Sequence, residues 1–323
     1  MFSRSSKVFF LGFVIGLIFL LFCPLVKGLD FPKKAIKIML ASGPGGGNDV
    51  IARGIIPYLQ QHLGVNVSID YQHGAGGKIA LEKLYKTDPD GRTILLDSFP
   101  RSVIVEHMGT TNFKTRDFVP VFVIGPTSQA LVVHSDNWKT FDEFLRAAKT
   151  KTMAGGLSGR GTTVHLAGLV LMEKLGVKVN WVPFAAAAEA TAALAGKHID
   201  YAIVFPTSAV SLIRAGLIRA LLMLRETRDP FFPDIPVPKD LKLDLTLVPA
   251  LYGVVAPPRT PEAIVKVLEE GFIKAAKEPA FLEWAKKGQI EISPQSSHDF
   301  GKIIKENYYP NVEKFQSFLK EQK

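Results

Sequence analysis

Three glycine-rich stretches are the parts of this sequence best suited to chemistry. They are Ser42-Gly43-Pro44-Gly45-Gly46-Gly47, Gly74-Ala75-Gly76-Gly77 and Ser158-Gly159-Arg160-Gly161-Thr162-Thr163, and each lies ahead of a run with helical spacing. A turn that opens a helix leaves main-chain N–H groups without an intrahelical acceptor, and the helix dipole adds roughly half a positive charge there. Glycine lets a guest, or a water holding it, come close to that backbone. The chemistry expected is capture of an anion. Ser158, Thr162 and Thr163 add hydroxyl donors, with Thr162 at the N-cap or in the first turn. Arg160, between two glycines, carries a fork that could hold a second carboxylate, or it is a solvated loop cation. Asp200 follows a small-residue turn and could bond a loop amide or meet the guest. Phe99, Phe184 and Phe205 could wall a pocket, with core packing the simpler role for each. Asp49 and Arg53, four apart, read as a scaffold ion pair, and His165 as a packed histidine.

Catalytic patterns are missing. Gly43 and Gly45 fit a dinucleotide fingerprint, but Asn48 stands where its third glycine belongs, and Gly74 to Lys78 lacks the spacing and hydroxyl of a phosphate loop. Ser158 and His165 could serve a hydrolase, yet no nucleophile-elbow pattern surrounds Ser158. There is no HExxH and no paired-carboxylate motif, so neither a metal nor a cofactor is expected.

The elements that must hold these turns alternate. Apolar runs at 35–41, 65–70, 93–97, 119–124 and 130–134 read as strands, as do 152–155, 177–182, 199–205, 219–224 and 251–256. Helical spacing marks 49–63 (with Asn48 as N-cap, Pro57 inside and Gly64 as stop), 78–86, 141–149, 162–175, 186–195, 207–215, 261–277, 279–287 and 297–322. Such alternation implies an α/β fold with mainly parallel sheets. Residues 228–238 hold four prolines and read as a crossing segment.

The 323 residues suffice for two domains, and 47% hydrophobic with 21% charged residues is ordinary for a globular chain. Arg4 and Lys7, the apolar run from Val8 to Phe22, Pro24 and Val26-Lys27-Gly28 have the order of a secretory signal, residues 1–28, cut after Gly28; the rival reading is an uncut anchor, for which the apolar run is shorter than the roughly 20 residues that span a bilayer. Losing Arg4, Lys7 and Lys27 with it lowers the formal charge from +9 to +6. Cys23 is the only cysteine, so the mature chain has no disulfide and no thiolate metal site. Export without cysteines suggests a bacterial cell envelope. The basic residues are scattered, which excludes a nucleic-acid surface, while a mildly positive field helps an anion approach.

The order of these motifs carries a resemblance. The run strand, GPGGGNDVIAR, LG, strand, HGAGG and DPDGRT is similar to the opening of the tripartite tricarboxylate transporter binding proteins, also called Bug receptors. LSGRGTTVHLAG, VPFAAAAEATAALAGKHIDYA, IRAGLIRALLML, PDIP and VVAPPRTPEAIVKVL continue it over nearly all of the mature chain. The resemblance implies a two-lobed periplasmic-binding-protein-like fold (type II). Residues 30–126 and 249–323 would form lobe one, and 127–248 lobe two. It implies a small organic acid, mono-, di- or tricarboxylate, held in the cleft of a monomer and passed to membrane permease subunits. A sensory system could be served instead. One carboxylate would be held through two waters on the turns Ser42–Gly47 and Gly74–Gly77, with Ser98, Ser158, Arg160, Gly161, Thr162, Thr163, Phe184, Asp200 and Phe205 completing the site. The sequence departs from the family's pattern in four places. Ala185 to Ala188 follows Phe184 where a lysine-glycine pair is usual, suggesting a more apolar pocket. Tyr71-Gln72-His73 precedes the second turn, Arg92 replaces an aromatic, and Asp97 and Ser98-Phe99-Pro100-Arg101 replace small residues.

Overall fold

The apolar runs pair into two separate five-stranded sheets, and the chain passes between them twice. The computed structural model describes residues 31–109 and 111–321; the expected signal, residues 1–28, lies outside them. The first stretch runs β1 (Ile36–Leu40), α1 (Gly47–Leu63), β2 (Val67–Tyr71), α2 (Lys78–Tyr85), β3 (Thr93–Phe99), α3 (Arg101–Met108) and β4 (Val119–Thr127). The second runs β5 (Gln129–His134), α4 (Phe141–Ala148), β6 (Met153–Leu157), α5 (Thr163–Leu175), β7 (Val179–Pro183), α6 (Ala187–Ala195), β8 (Tyr201–Val204), α7 (Val210–Arg214) and β9 (Ile218–Leu224). The chain then returns through β10 (Ala250–Ala256), α8 (Glu262–Lys277), α9 (Pro279–Lys287) and helical segments ending at Glu321.

One sheet has the order β2-β1-β3-β10-β4 and the other β7-β6-β8-β5-β9. In each, four strands run in parallel and one runs against them: β10 is antiparallel to β3 and β4, and β5 to β8 and β9. The expected parallel character therefore holds for all but the fourth strand of each order. That strand is the one that enters from the other sheet, so its direction is set by the crossing. Helices on the faces bury the strands on both sides. All seven residues of β10 are buried, as are all six of β5. Among the described residues no helix is long and apolar enough to cross a membrane.

Local chemistry explains the boundaries. α1 ends at Gly64, whose left-handed φ of 69° suits glycine, with its N–H donating to the Gln60 carbonyl. Its start differs from expectation: Gly46 is the N-cap and Asn48 already lies inside the helix. The Asp49 carboxylate accepts from the Gly45 N–H at 2.8 Å and so serves the turn that Asn48 was expected to cap. In α5 the expected cap is present, since the Thr162 hydroxyl accepts from the His165 N–H. The helix expected over 297–322 is broken. Pro310 has no N–H to donate one turn back, and the ladder widens into a π turn over Ile303–Tyr308 just before it.

Candidate functional site

Loops at the carboxyl ends of β1, β2 and β3 face loops at the carboxyl ends of β6 and β7, where α/β folds place their ligands. Between them lies a cavity of about 640 Å³. From one sheet it is lined by Ser42, His73, the whole turn Gly74-Ala75-Gly76-Gly77, Lys78, Arg101, Val105 and Met108; from the other by Ser158, Gly159, Arg160, Pro183, Phe184 and Ala185. Of the residues singled out from sequence, Ser42, Gly74, Ala75, Gly76, Gly77, Ser158, Arg160 and Phe184 therefore meet at one cavity.

The walls touch at its edges. The Thr163 hydroxyl donates to the Ser98 carbonyl at 2.9 Å, and the Gly43 N–H to the Ala185 carbonyl at 3.4 Å. Gly76, at φ +66°, packs so closely on the Arg160 carbonyl that a Cβ there has no room. Gly45 stands against the Ala188 methyl in the same way. The alanines after Phe184 thus form a smooth surface on which the first turn rests.

Other expected residues stand elsewhere. Gly43, Gly45, Gly46 and Gly47 do not line the cavity. Gly47 packs beneath the Tyr252 hydroxyl, Thr207 and Phe205, where the chain crosses between the sheets. Phe205 is buried against Tyr252, with ring centroids 6.0 Å apart, so its place is in that packing and not in the cavity wall. Asp200 lies at the amino end of β8, away from the turns. It is 2.9 Å from the Lys151 ammonium and accepts from the Ala154 N–H, which makes it a brace between β6 and β8. Gly161 abuts the Met108 sulfur, and its N–H is taken by His165 Nδ1. The Thr162 hydroxyl donates to the Gly159 carbonyl. The turns also satisfy part of themselves: Gly45 N–H goes to Asp49, and Gly77 N–H to the Gly74 carbonyl. Fewer main-chain donors are left for a guest than the three sequences suggested.

Sequence reasoning missed Arg101. It is 3% exposed, and its Nε lies 2.8 Å from Asp97 Oδ1. Nη1 donates to the Gly76 carbonyl at 3.2 Å and Nη2 to the Ser98 hydroxyl at 3.4 Å. Asn48 donates to the same Asp97 oxygen at 2.9 Å. Complete burial pushes the Asp97 carboxyl up, against the pull of Arg101, the Ser98 N–H and Asn48. The sequence holds two signals for Arg101: the departure at Asp97 and Ser98-Phe99-Pro100-Arg101, and the spacing of Arg101, Val105 and Met108, by four and then three, which sets all three on one helix face. His165 stays neutral: burial, aided by the Arg160 charge, lowers it to about 4. Its ring meets Trp181 edge-on at 5.7 Å. Among the described residues no group of three His, Cys, Asp or Glu could hold a metal.

Two sheets joined by two crossings, with loops of each closing on one cavity, define a two-lobed protein of the periplasmic-binding-protein kind. The model of the "Tripartite tricarboxylate transporter family receptor" matches residues 51–319, and the chain belongs to that family. It is a solute-binding protein and not an enzyme. A UPF0065 protein of Bordetella pertussis (strain Tohama I) is 29% identical over 281 residues, 85% of this chain and 87% of that protein. MatC from Rhodopseudomonas palustris, solved with bound malate, superposes with a TM-score of 0.80 at 23% identity, over 87% of this chain and 100% of that one. Rpa4515 of R. palustris, solved with adipate, gives 0.81 at 23% identity, over 89% and 99%.

Proposed function

We propose that this chain is an extracytoplasmic receptor, exported from a bacterial cytoplasm behind a cleaved signal at residues 1–28, that captures a small organic carboxylate as a monomer and hands it to the permease subunits of a tripartite tricarboxylate-type transporter. Lobe one is residues 30–126 with 249–323, and lobe two is 127–248. The observation that carries this reading is the cavity wall: Arg101, Arg160, Lys78 and His73 line it, and among the described residues no aspartate or glutamate does. Such a wall favours an anion and gives a cation no partner. Ser42, whose buried hydroxyl finds no acceptor or donor among the described residues, and the turn Gly74–Gly77 supply further donors. Ser158 and Arg160 offer theirs from the facing lobe. The malate held by MatC and the adipate held by Rpa4515 are carboxylates, which agrees with this chemistry.

A thermal-shift screen of organic acids against their neutral amides tests it. A true ligand at a hundred times its Kd stabilises by about 2.7 kcal/mol. Acids should raise the melting temperature and amides should not. Equal shifts from an acid and its amide, or no shift from any acid, would overturn the reading.

A further inference from the structure

We infer that Arg101 takes the guest's carboxylate directly, and that the helix face on which it stands selects acids with an unsubstituted apolar body. The inference rests on the reading that this cavity takes a carboxylate and says which end of it does so. A guanidinium has five N–H donors. On Arg101, Nη1 gives one to the Gly76 carbonyl and Nη2 one to the Ser98 hydroxyl, while Nε lies beside Asp97 as an ion pair. One donor remains on each terminal nitrogen, and such a pair can bind both oxygens of a carboxylate. Arg101 lines the cavity although almost wholly buried, so these donors have the guest's space to face. The Ser42 hydroxyl, buried and without a partner among the described residues, lies on the same wall and offers a third donor.

The side chain is fixed before any guest arrives. Asp97 holds it from below, Asn48 holds Asp97, and the Gly76 and Ser98 contacts orient the plane. A guest therefore need not order it, which favours affinity and sharp discrimination. Asp97 also balances the buried charge, so the guanidinium can stay desolvated.

Beyond the fork the same helix face turns apolar. Val105 and Met108 follow Arg101 at one and two turns, and Phe184 and Pro183 come from the facing lobe. A hydroxyl or extra carboxylate on this part of a guest would be buried without a partner, a loss of roughly tenfold or more in affinity. A plain methylene there gains about fourfold. Hexanoate and adipate fit this face; malate and citrate do not.

Calorimetric titration with hexanoate, adipate, malate, citrate and hexanamide tests the assignment. The wild type should bind hexanoate or adipate at least about tenfold more tightly than malate or citrate, and hexanoate at least about thirtyfold more tightly than hexanamide. The paired variant Asp97→Asn/Arg101→Gln, which strands no buried charge, should bring acid and amide within about threefold of each other by weakening the acid alone. Should that variant not fold, Arg101→Lys keeps the ion pair without the fork, and the acid-to-amide ratio should fall there too. An unchanged ratio, or equal loss for acid and amide, would mean that Arg101 only holds the second turn, and the assignment fails. Malate or citrate as the tightest ligand overturns the apolar-body claim. A wild type that binds hexanamide as well as hexanoate sinks the carboxylate reading itself, and this inference with it.

Discussion

Replacing Gly76 by alanine separates two costs that usually come together. Gly76 sits at φ +66°, where a side chain is disfavoured by roughly 1–2 kcal/mol. That cost falls on folding whatever the cleft does. The second cost arises only when the walls meet, because the new Cβ would point into the Arg160 main-chain carbonyl. No rotamer change moves a carbonyl, so the two turns must part by about 1.5 Å to give the Cβ a contact of about 3.5 Å. The same withdrawal stretches the Thr163–Ser98 bond at 2.9 Å and the Gly43–Ala185 bond at 3.4 Å. At about 0.5–1.5 kcal/mol each, the loss of both weakens guest binding by roughly 1–3 kcal/mol, or about 5- to 150-fold. Gly64→Ala is the control. Gly64 has φ +69° with nothing around its missing Cβ, so it bears the backbone cost alone. The assays are urea denaturation for stability and calorimetry for the tightest acid found by screening. Both variants should lose similar stability, and only Gly76→Ala should lose affinity. Wild-type affinity in Gly76→Ala, or an equal affinity loss in Gly64→Ala, would refute the argument that the turns close on each other around the guest.

Two further tests concern pH. His165 falls to about 4 in the fold, against about 6.5 when unfolded, because burial and then Arg160 disfavour its charge. Between those values the unfolded chain binds the extra proton, so stability is full above pH 6.5 and declines towards pH 4, by on the order of 3 kcal/mol. Urea midpoints from pH 7.5 to 4.5 should slope less steeply in His165→Gln than in wild type, and parallel slopes would remove His165 as the cause. For Glu106, burial alone would raise the carboxyl, but the Thr115 N–H at 2.9 Å, the Tyr309 hydroxyl at 2.7 Å and Lys114 hold it below the usual range. Its stabilisation is present above about pH 4.3 and is lost as pH falls through the depressed value. Glu106→Gln should cost about 1–3 kcal/mol at pH 7 and little near pH 3; a deficit that persists in acid would point to packing and not charge.

The glycine turns were legible because glycine clusters between apolar runs are a local signal, and the cavity does sit at two of them. What could not be read was distribution. The first turn spends the Gly45 N–H on Asp49 and rests on Ala185 and Ala188, contacts made by a helix opening and by a loop of the other lobe. Asp200 looked like a cleft residue because it follows a small-residue turn, but its partners are Lys151 and Ala154, nearly fifty residues earlier in the chain. The helix of Arg101–Met108 was hidden by Pro100 and by the lack of a side-chain cap, and with it went Arg101. Strand direction was half legible. Alternation of strands and helices implied parallel pairing, and nothing in the runs Gln129–His134 or Ala250–Ala256 tells which way they must point once the chain has changed sheets.

Those two reversed strands have a consequence for how the molecule comes into being. β3 and β4 touch only through β10, which lies more than 120 residues after β4 in the chain. A polypeptide emerging amino end first must therefore keep an open gap in its first sheet until its last quarter has been made. Up to then the apolar edges of β3 and β4 are exposed and the first half has no closed interior. The second sheet draws all five of its strands from one continuous stretch, so it is the first sheet that closes last, around β10.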